Sequence, residues 1–281
     1  MRELKSHLPP GVALRKVVLM DLTSLSAEIE RVNDGQGVHA ARRKIKLFRS
    51  LLRLMSLQIG KREFRLADAE LRQLARTFAE ARKEEAMAEV CSKLVAAGHV
   101  RREDIERLLP KGAQRKAPTS RTLAGAQAIL VAIRRRVLSW RLPKADTSLY
   151  AEAAGETYRR AKRRLRIALR SGVVGDLHQA RKSVIHHLHH IQMHSGLASK
   201  EVCSRVKHLT KLRVALGDLN DLSELANLPG IDGAGAELRP GMETMRKELL
   251  REARSLSESL FAESTDAFRK PIAAMWRSWR K

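Results

Sequence analysis

His39-Ala40-Ala41-Arg42-Arg43 and His178-Gln179-Ala180-Arg181-Lys182 repeat one pattern, His-x-Ala-Arg-[Arg/Lys], each opening a segment with helical periodicity. Residues three and four apart share a helix face, so each copy directs one imidazole and two permanent cations the same way. That grouping suits a multiply charged oxyanion: arginine offers a forked donor set that matches phosphate oxygens, and lysine a compact charge. The first copy extends into a row. At about 100° per residue, His39, Arg42, Arg43, Lys46, Arg49 and Arg53 fall within an arc of about 120°. Ala41, Ile45, Phe48, Leu51, Leu52 and Met55 cover the other side, as in a core-facing helix. A solvated face normally mixes signs to limit self-repulsion, yet no acidic residue occurs from Val38 to Leu57. An anion-binding face is therefore the stronger reading.

A second row follows the same spacing: Arg159, Lys162, Arg163, Arg166 and Arg170, with Arg160 and Arg164 on its flank and Tyr158 leading in. The third is weaker. Arg181, Lys182 and His189 share the arc of His178, but Ile185 interrupts it and His186 sits at its edge, so an ordinary solvated face competes evenly there. His186, His190 and His194 have the i, i+4 spacing of paired metal ligands, but the next acid along the chain is Glu201. Imidazoles beside phosphate, or simply at the surface, are preferred to a metal site. Asp218 and Asp221, three apart, share a face; orienting basic side chains is preferred there to ion binding or capping. No phosphate-binding glycine loop, zinc-protease helix or serine elbow is present, and two carboxylates without a nucleophile do not make a hydrolase. The expectation is a binding protein with no catalytic residues, no metal and no cofactor.

The elements that must hold these rows are helices. Ala, Leu, Arg, Lys and Glu dominate, alternation of period two is not sustained, and breakers punctuate the chain at helix-length intervals. The spacing predicts helices at about 12–33, 37–58, 61–83, 85–97, 101–108, 120–141, 147–171, 175–195, 199–227, 236–263 and 266–280. Asp176 is a candidate cap for the helix carrying His178. The fold class is all-α, with halves 10–142 and 146–275 and a basic tail at 276–281. Lys and Arg number 55 against 31 Asp and Glu, a formal net charge of +24 over 281 residues, which calls for an acidic partner. At 43% hydrophobic the chain can build a real core. Two isolated cysteines, Cys91 and Cys203, suit neither a disulfide framework nor a zinc site. No apolar run approaches roughly 18 residues, so a soluble cytoplasmic protein with no membrane span is expected.

Together, the helix from His39 to Met55, the run Tyr158-Arg159-Arg160-Ala161-Lys162-Arg163, the helix opening at His178, and Leu216-Gly217-Asp218-Leu219-Asn220-Asp221-Leu222 resemble the CHAD family, the conserved histidine α-helical domain. The resemblance runs from about residue 10 to 275. It implies two pseudo-symmetric four-helix bundles forming one compact helical domain, with a central basic pore or groove that binds inorganic polyphosphate without catalysis, and an association with polyphosphate granules. It implies phosphate contact at His39, Arg42, Arg43, Lys46, Arg49, Tyr158, Arg159, Lys162, Arg163, His178, Arg181 and Lys182. Arg53, Arg166 and His189 extend the same rows. Two departures from the family pattern stand out: Ile185 replaces a cation, and Lys83 stands where an acid is usual, within Glu80-Ala81-Arg82-Lys83-Glu84-Glu85.

The competing partner is nucleic acid, to which a strong basic charge applies equally. Only 4% of residues are aromatic, which leaves few platforms for stacking single-stranded bases. Trp276 and Trp279 could touch a membrane or a partner, but such tryptophans more often pack a terminal helix onto the core.

Overall fold

The computed structural model describes residues 8–32, 37–78, 83–108, 119–142, 148–193, 200–228, 231 and 238–277. All regular secondary structure among these residues is helical. The first six helices are α1 (Pro10–Arg31), α2 (Val38–Leu54), α3 (Ser56–Thr77), α4 (Lys83–Ala96), α5 (Arg102–Leu108) and α6 (Ser120–Ser139). Five more follow: α7 (Ser148–Ser171), α8 (Val174–Met193), α9 (Lys200–Leu225), α10 (Leu238–Leu260) and α11 (Thr265–Arg277). Of the boundary expected at Leu142 to Ala145, residues 143–145 lie outside the described ones.

Packing follows the apolar faces. α1 lies on α2 and α6, and α3 on the same two helices. In the second part of the chain, α7 packs on α8, α8 on α9, α9 on α10, and α11 returns onto α7. α2 joins the two groups by packing on α8 and, at its side, on α7. On α2, Ala41, Ile45, Phe48, Leu51 and Leu52 are each at most 2% exposed. Burying one such large side chain stabilises the fold by about 1.5–3 kcal/mol, so the apolar side of α2 alone fixes where its cations point. One continuous apolar core runs through both groups. A second cluster, where α4 and α5 meet the end of α9 and the start of α10, closes one end.

Three local features differ from the sequence expectations. α2 stops at Leu54, and the break expected at Gly60 is a bend within α3, where Gly60 takes φ 82° and ψ 161°. A side chain would strain that conformation. Asp176 lies inside the first turn of α8 and accepts from the Ser171 hydroxyl at 2.8 Å. Trp276 belongs to α11, 2% exposed and stacked on Tyr150 with ring centroids 4.7 Å apart, so the core reaches into the segment expected as a tail.

Candidate functional site

The two His-x-Ala-Arg helices meet. α2 and α8 pack against each other, and a cavity lies on either side of their seam, the two joined at Arg42, which lines both. The larger is about 690 Å³ and the smaller about 210 Å³.

Cations make the wall of the larger cavity. α2 contributes Arg42, Arg49 and Arg53; α3 contributes Arg72 and Arg76; α7 contributes Arg160 and Arg164. His178, Lys182 and His186 come from α8, and no carboxylate is among the lining residues. Compensation comes from behind the wall. Asp68, 7% exposed, accepts from Arg49 Nε at 2.9 Å and pairs with Arg72 Nε at 3.3 Å. The Arg42 guanidinium donates to the Phe78 carbonyl. These bonds hold two of the three α2 arginines in place, so binding an anion costs little further side-chain entropy. Burial, with Arg49 nearby, lowers the Lys182 pKa. An anion between the two would relieve that repulsion.

The smaller cavity has a mixed wall. His39, Arg42, Arg43 and Lys46 come from α2; Arg181, Ile185 and His189 from α8. α9 and α4 close it with Arg213, Asp218, Asp221, Glu89 and Lys93. Here the Leu-Gly-Asp-Leu-Asn-Asp element acts through individual side chains. Gly217 leaves room for Arg181: a Cβ there would stand 2.9 Å from Nη2 and 3.2 Å from Cζ of that guanidinium. Asp218 accepts from Lys93 Nζ at 2.6 Å, which places a cation from α4 at the rim. Asn220 turns toward the other cavity. Its Oδ1 accepts from His178 Nδ1 at 3.0 Å while its Nδ2 donates to Glu224 at 2.9 Å, which fixes both the amide and the imidazole. With Nδ1 donating, the neutral His178 ring offers Nε2 as an acceptor. Its pKa is lowered first by burial and then by Lys182.

The histidine run forms the seam itself. The Ser50 hydroxyl, fully buried on α2, lies 2.8 Å from Nδ1 of both His186 and His189 and 2.9 Å from the Lys46 carbonyl. His190 Nε2 donates to the Ser50 carbonyl at 2.7 Å, and its Nδ1 faces the Thr157 hydroxyl at 3.3 Å. His187 is enclosed by the rings of Tyr158, Phe261 and Phe268. Burial holds all four imidazoles down: His189 to about 3, His190 to about 4, and His186 and His187 well below the ordinary value. They are neutral at pH 7. Among the described residues, no three His, Cys, Asp or Glu side chains are grouped as metal ligands, and His194 lies outside those residues.

The structure brings the α2 row and the α8 residues together but not the α7 row. Tyr158 is fully buried, stacked on Phe268, and its hydroxyl donates to the Glu263 carbonyl at 2.9 Å. Lys162 donates to the same carbonyl at 2.8 Å. Arg159, Arg163 and Arg166 are exposed on the side opposite Ala161 and Leu165, and Arg159 pairs with Glu156. It is the flanking pair, Arg160 and Arg164, that reaches the cavity. Arg72, Arg76, Lys93, Arg213 and Asp68 were not singled out from the sequence, and Asn220 was named there only as part of the Leu216–Leu222 element, without a role of its own. The i, i+4 spacing of Asp68, Arg72 and Arg76 was the available signal for three of them. Of the Glu80–Glu85 element, residues 80–82 lie outside the described ones, as do the side chains of Lys83, Glu84 and Glu85.

The family model of the CHAD domain matches residues 18–228. No curated protein matches the chain.

Proposed function

Because the chain belongs to the CHAD domain family, we propose that it binds inorganic polyphosphate, without turning it over, in the basic cavities beside the α2–α8 seam. One observation carries this reading: the larger cavity is lined by seven arginines, one lysine and two imidazoles, with no carboxylate. Successive turns of α2 rise about 5.4 Å, so Arg42, Arg49 and Arg53 present a line of forked donors to a chain with an oxyanion at every unit. Such a wall repels itself when empty, and an anion that binds only the folded state stabilises it by mass action. Residence in the cytoplasm on polyphosphate granules is the cellular counterpart of this reading. Among the described residues no helix is long and apolar enough to cross a membrane.

The exposed arginines of α7 favour a second reading, a general polyanion or nucleic-acid binder that uses the outer surface. A competition experiment separates the two. Labelled long-chain polyphosphate is bound at near-physiological salt and challenged with RNA, duplex DNA and pyrophosphate. Retention of polyphosphate against RNA at equal phosphate concentration is expected; displacement by RNA would select the general reading.

A further inference from the structure

A third cavity, about 250 Å³, opens beside the larger basic one and shares Arg53, Arg160, Ser183 and His186 with it. Its surface is mostly carbon. Leu57, Phe64 and Ala153 line it, and the bend at Gly60 turns Leu57 and Phe64 toward the same hollow. The Arg53 guanidinium stands over the Phe64 ring, 5.4 Å from its centroid. Glu156 is the one carboxylate of the lining. A chain of phosphates has no use for such a surface, because it carries nothing to bury against carbon.

Resting on the phosphate reading of the basic cavity, we infer that this pocket takes the base of a nucleoside polyphosphate whose phosphates lie among the adjoining arginines. Arg53 and Arg160, shared by both cavities, stand where base and phosphates would join. A base offers a flat π system for Phe64 and the guanidinium, and an exocyclic amine would donate to Glu156. The size agrees: pockets for drug-sized ligands begin at about 300 Å³, so this one suits a single ring system.

The test is calorimetric titration of the full chain at near-physiological salt with inorganic tripolyphosphate, adenosine triphosphate and long-chain polyphosphate. Charge alone favours tripolyphosphate, since esterification removes an ionisable oxygen from the nucleotide. The nucleotide is nevertheless expected to bind roughly tenfold more tightly, within the range of stacking one base on an aromatic ring. Phe64→Leu keeps apolar packing but removes the ring. It should abolish that advantage while leaving tripolyphosphate affinity within about twofold. Ala153→Leu, which fills the pocket, should do the same and serves if Phe64→Leu misfolds. If polyphosphate binds and the nucleotide is no tighter than tripolyphosphate, the inference alone is overturned. If none of the three binds, the phosphate reading falls and this one with it.

Discussion

Helices α2 and α7 carry cations at the same helical spacing and bury an apolar face on the opposite side, yet α2 turns its row into two cavities and α7 turns most of its row to water. The difference lies in their neighbours. α2 has α1 at its back and α3 and α8 on its flanks, so what faces away from its own core faces walls raised by other helices. α7 has α8 and α11 against it on one side and the edges of α2 and α3 on the other, and these leave its outer face uncovered. Residues turned toward α2 and α3, Arg160 and Arg164, enter the cavity, whereas Arg159, Arg163 and Arg166 have no element across from them among the described residues. A helical wheel tells which way a charge points relative to its own core. It does not tell whether another element stands opposite.

The largest effect should come from breaking the α2 row. Arg42→Gln with Arg49→Gln removes one cation shared by both cavities and one anchored on Asp68. Charge-assisted contacts are worth about 1.5–3 kcal/mol each, so affinity for long-chain polyphosphate should fall by at least about a hundredfold in titration calorimetry. A loss under about tenfold would place binding elsewhere.

Next is acid. The unfolded chain takes protons on its histidines from about pH 6.5 downward, while the folded chain keeps His189 and His190 neutral to about 3 and 4. Their folded pKa values are depressed, so their stability contribution is complete above pH 6.5 and is lost as pH falls toward those values. The loss is up to about 1.4 kcal/mol per imidazole per pH unit. His186, His189 and His190 lie against Ser50 on α2, whereas α7 meets only His190, through Thr157, and His187, through Thr157 and the ring of Tyr158. Acidification from pH 7.5 to 5.5 should therefore lower the melting temperature and speed hydrogen exchange in α2 before α7. A flat melting temperature over that range would contradict the buried network.

The smallest effect is expected at α7. Replacing Arg159, Arg163 and Arg166 together by Gln should change polyphosphate affinity by less than about threefold, because these groups act only through screened solvent. A larger loss would show the outer face of α7 to be part of the binding surface.

Much of this architecture was legible in the sequence. Every expected helix has a counterpart, because the breakers and the 3.6-residue periodicity are local signals. The α2 row was legible for the same reason, its apolar side being unambiguous from Ala41 to Met55. Asp68 and Asn220 were not, since each acts on a residue far along the chain, Arg49 or His178, through tertiary geometry. Tyr158 was misleading. The family resemblance implies contact with phosphate there, whereas its ring completes an aromatic cluster with Phe261 and Phe268.

The Ser50 hydroxyl has a single proton to give, and this limits what the two cavities can do at once. His186 lines one cavity and His189 the other, and with Nδ1 of each turned to Ser50, only Nε2 remains for a guest. A neutral His186 that donates from Nε2 needs the serine proton at Nδ1. His189 must then donate from its own Nδ1 and presents a bare lone pair on its side. Giving the proton to His189 reverses the pair, and giving it to the Lys46 carbonyl, 2.9 Å away, leaves both rings donating from Nδ1 with Nε2 bare. One hydroxyl thus makes the tautomers of the two rings mutually exclusive as donors, so an anion gripped by one imidazole sets the far cavity to accept rather than to donate.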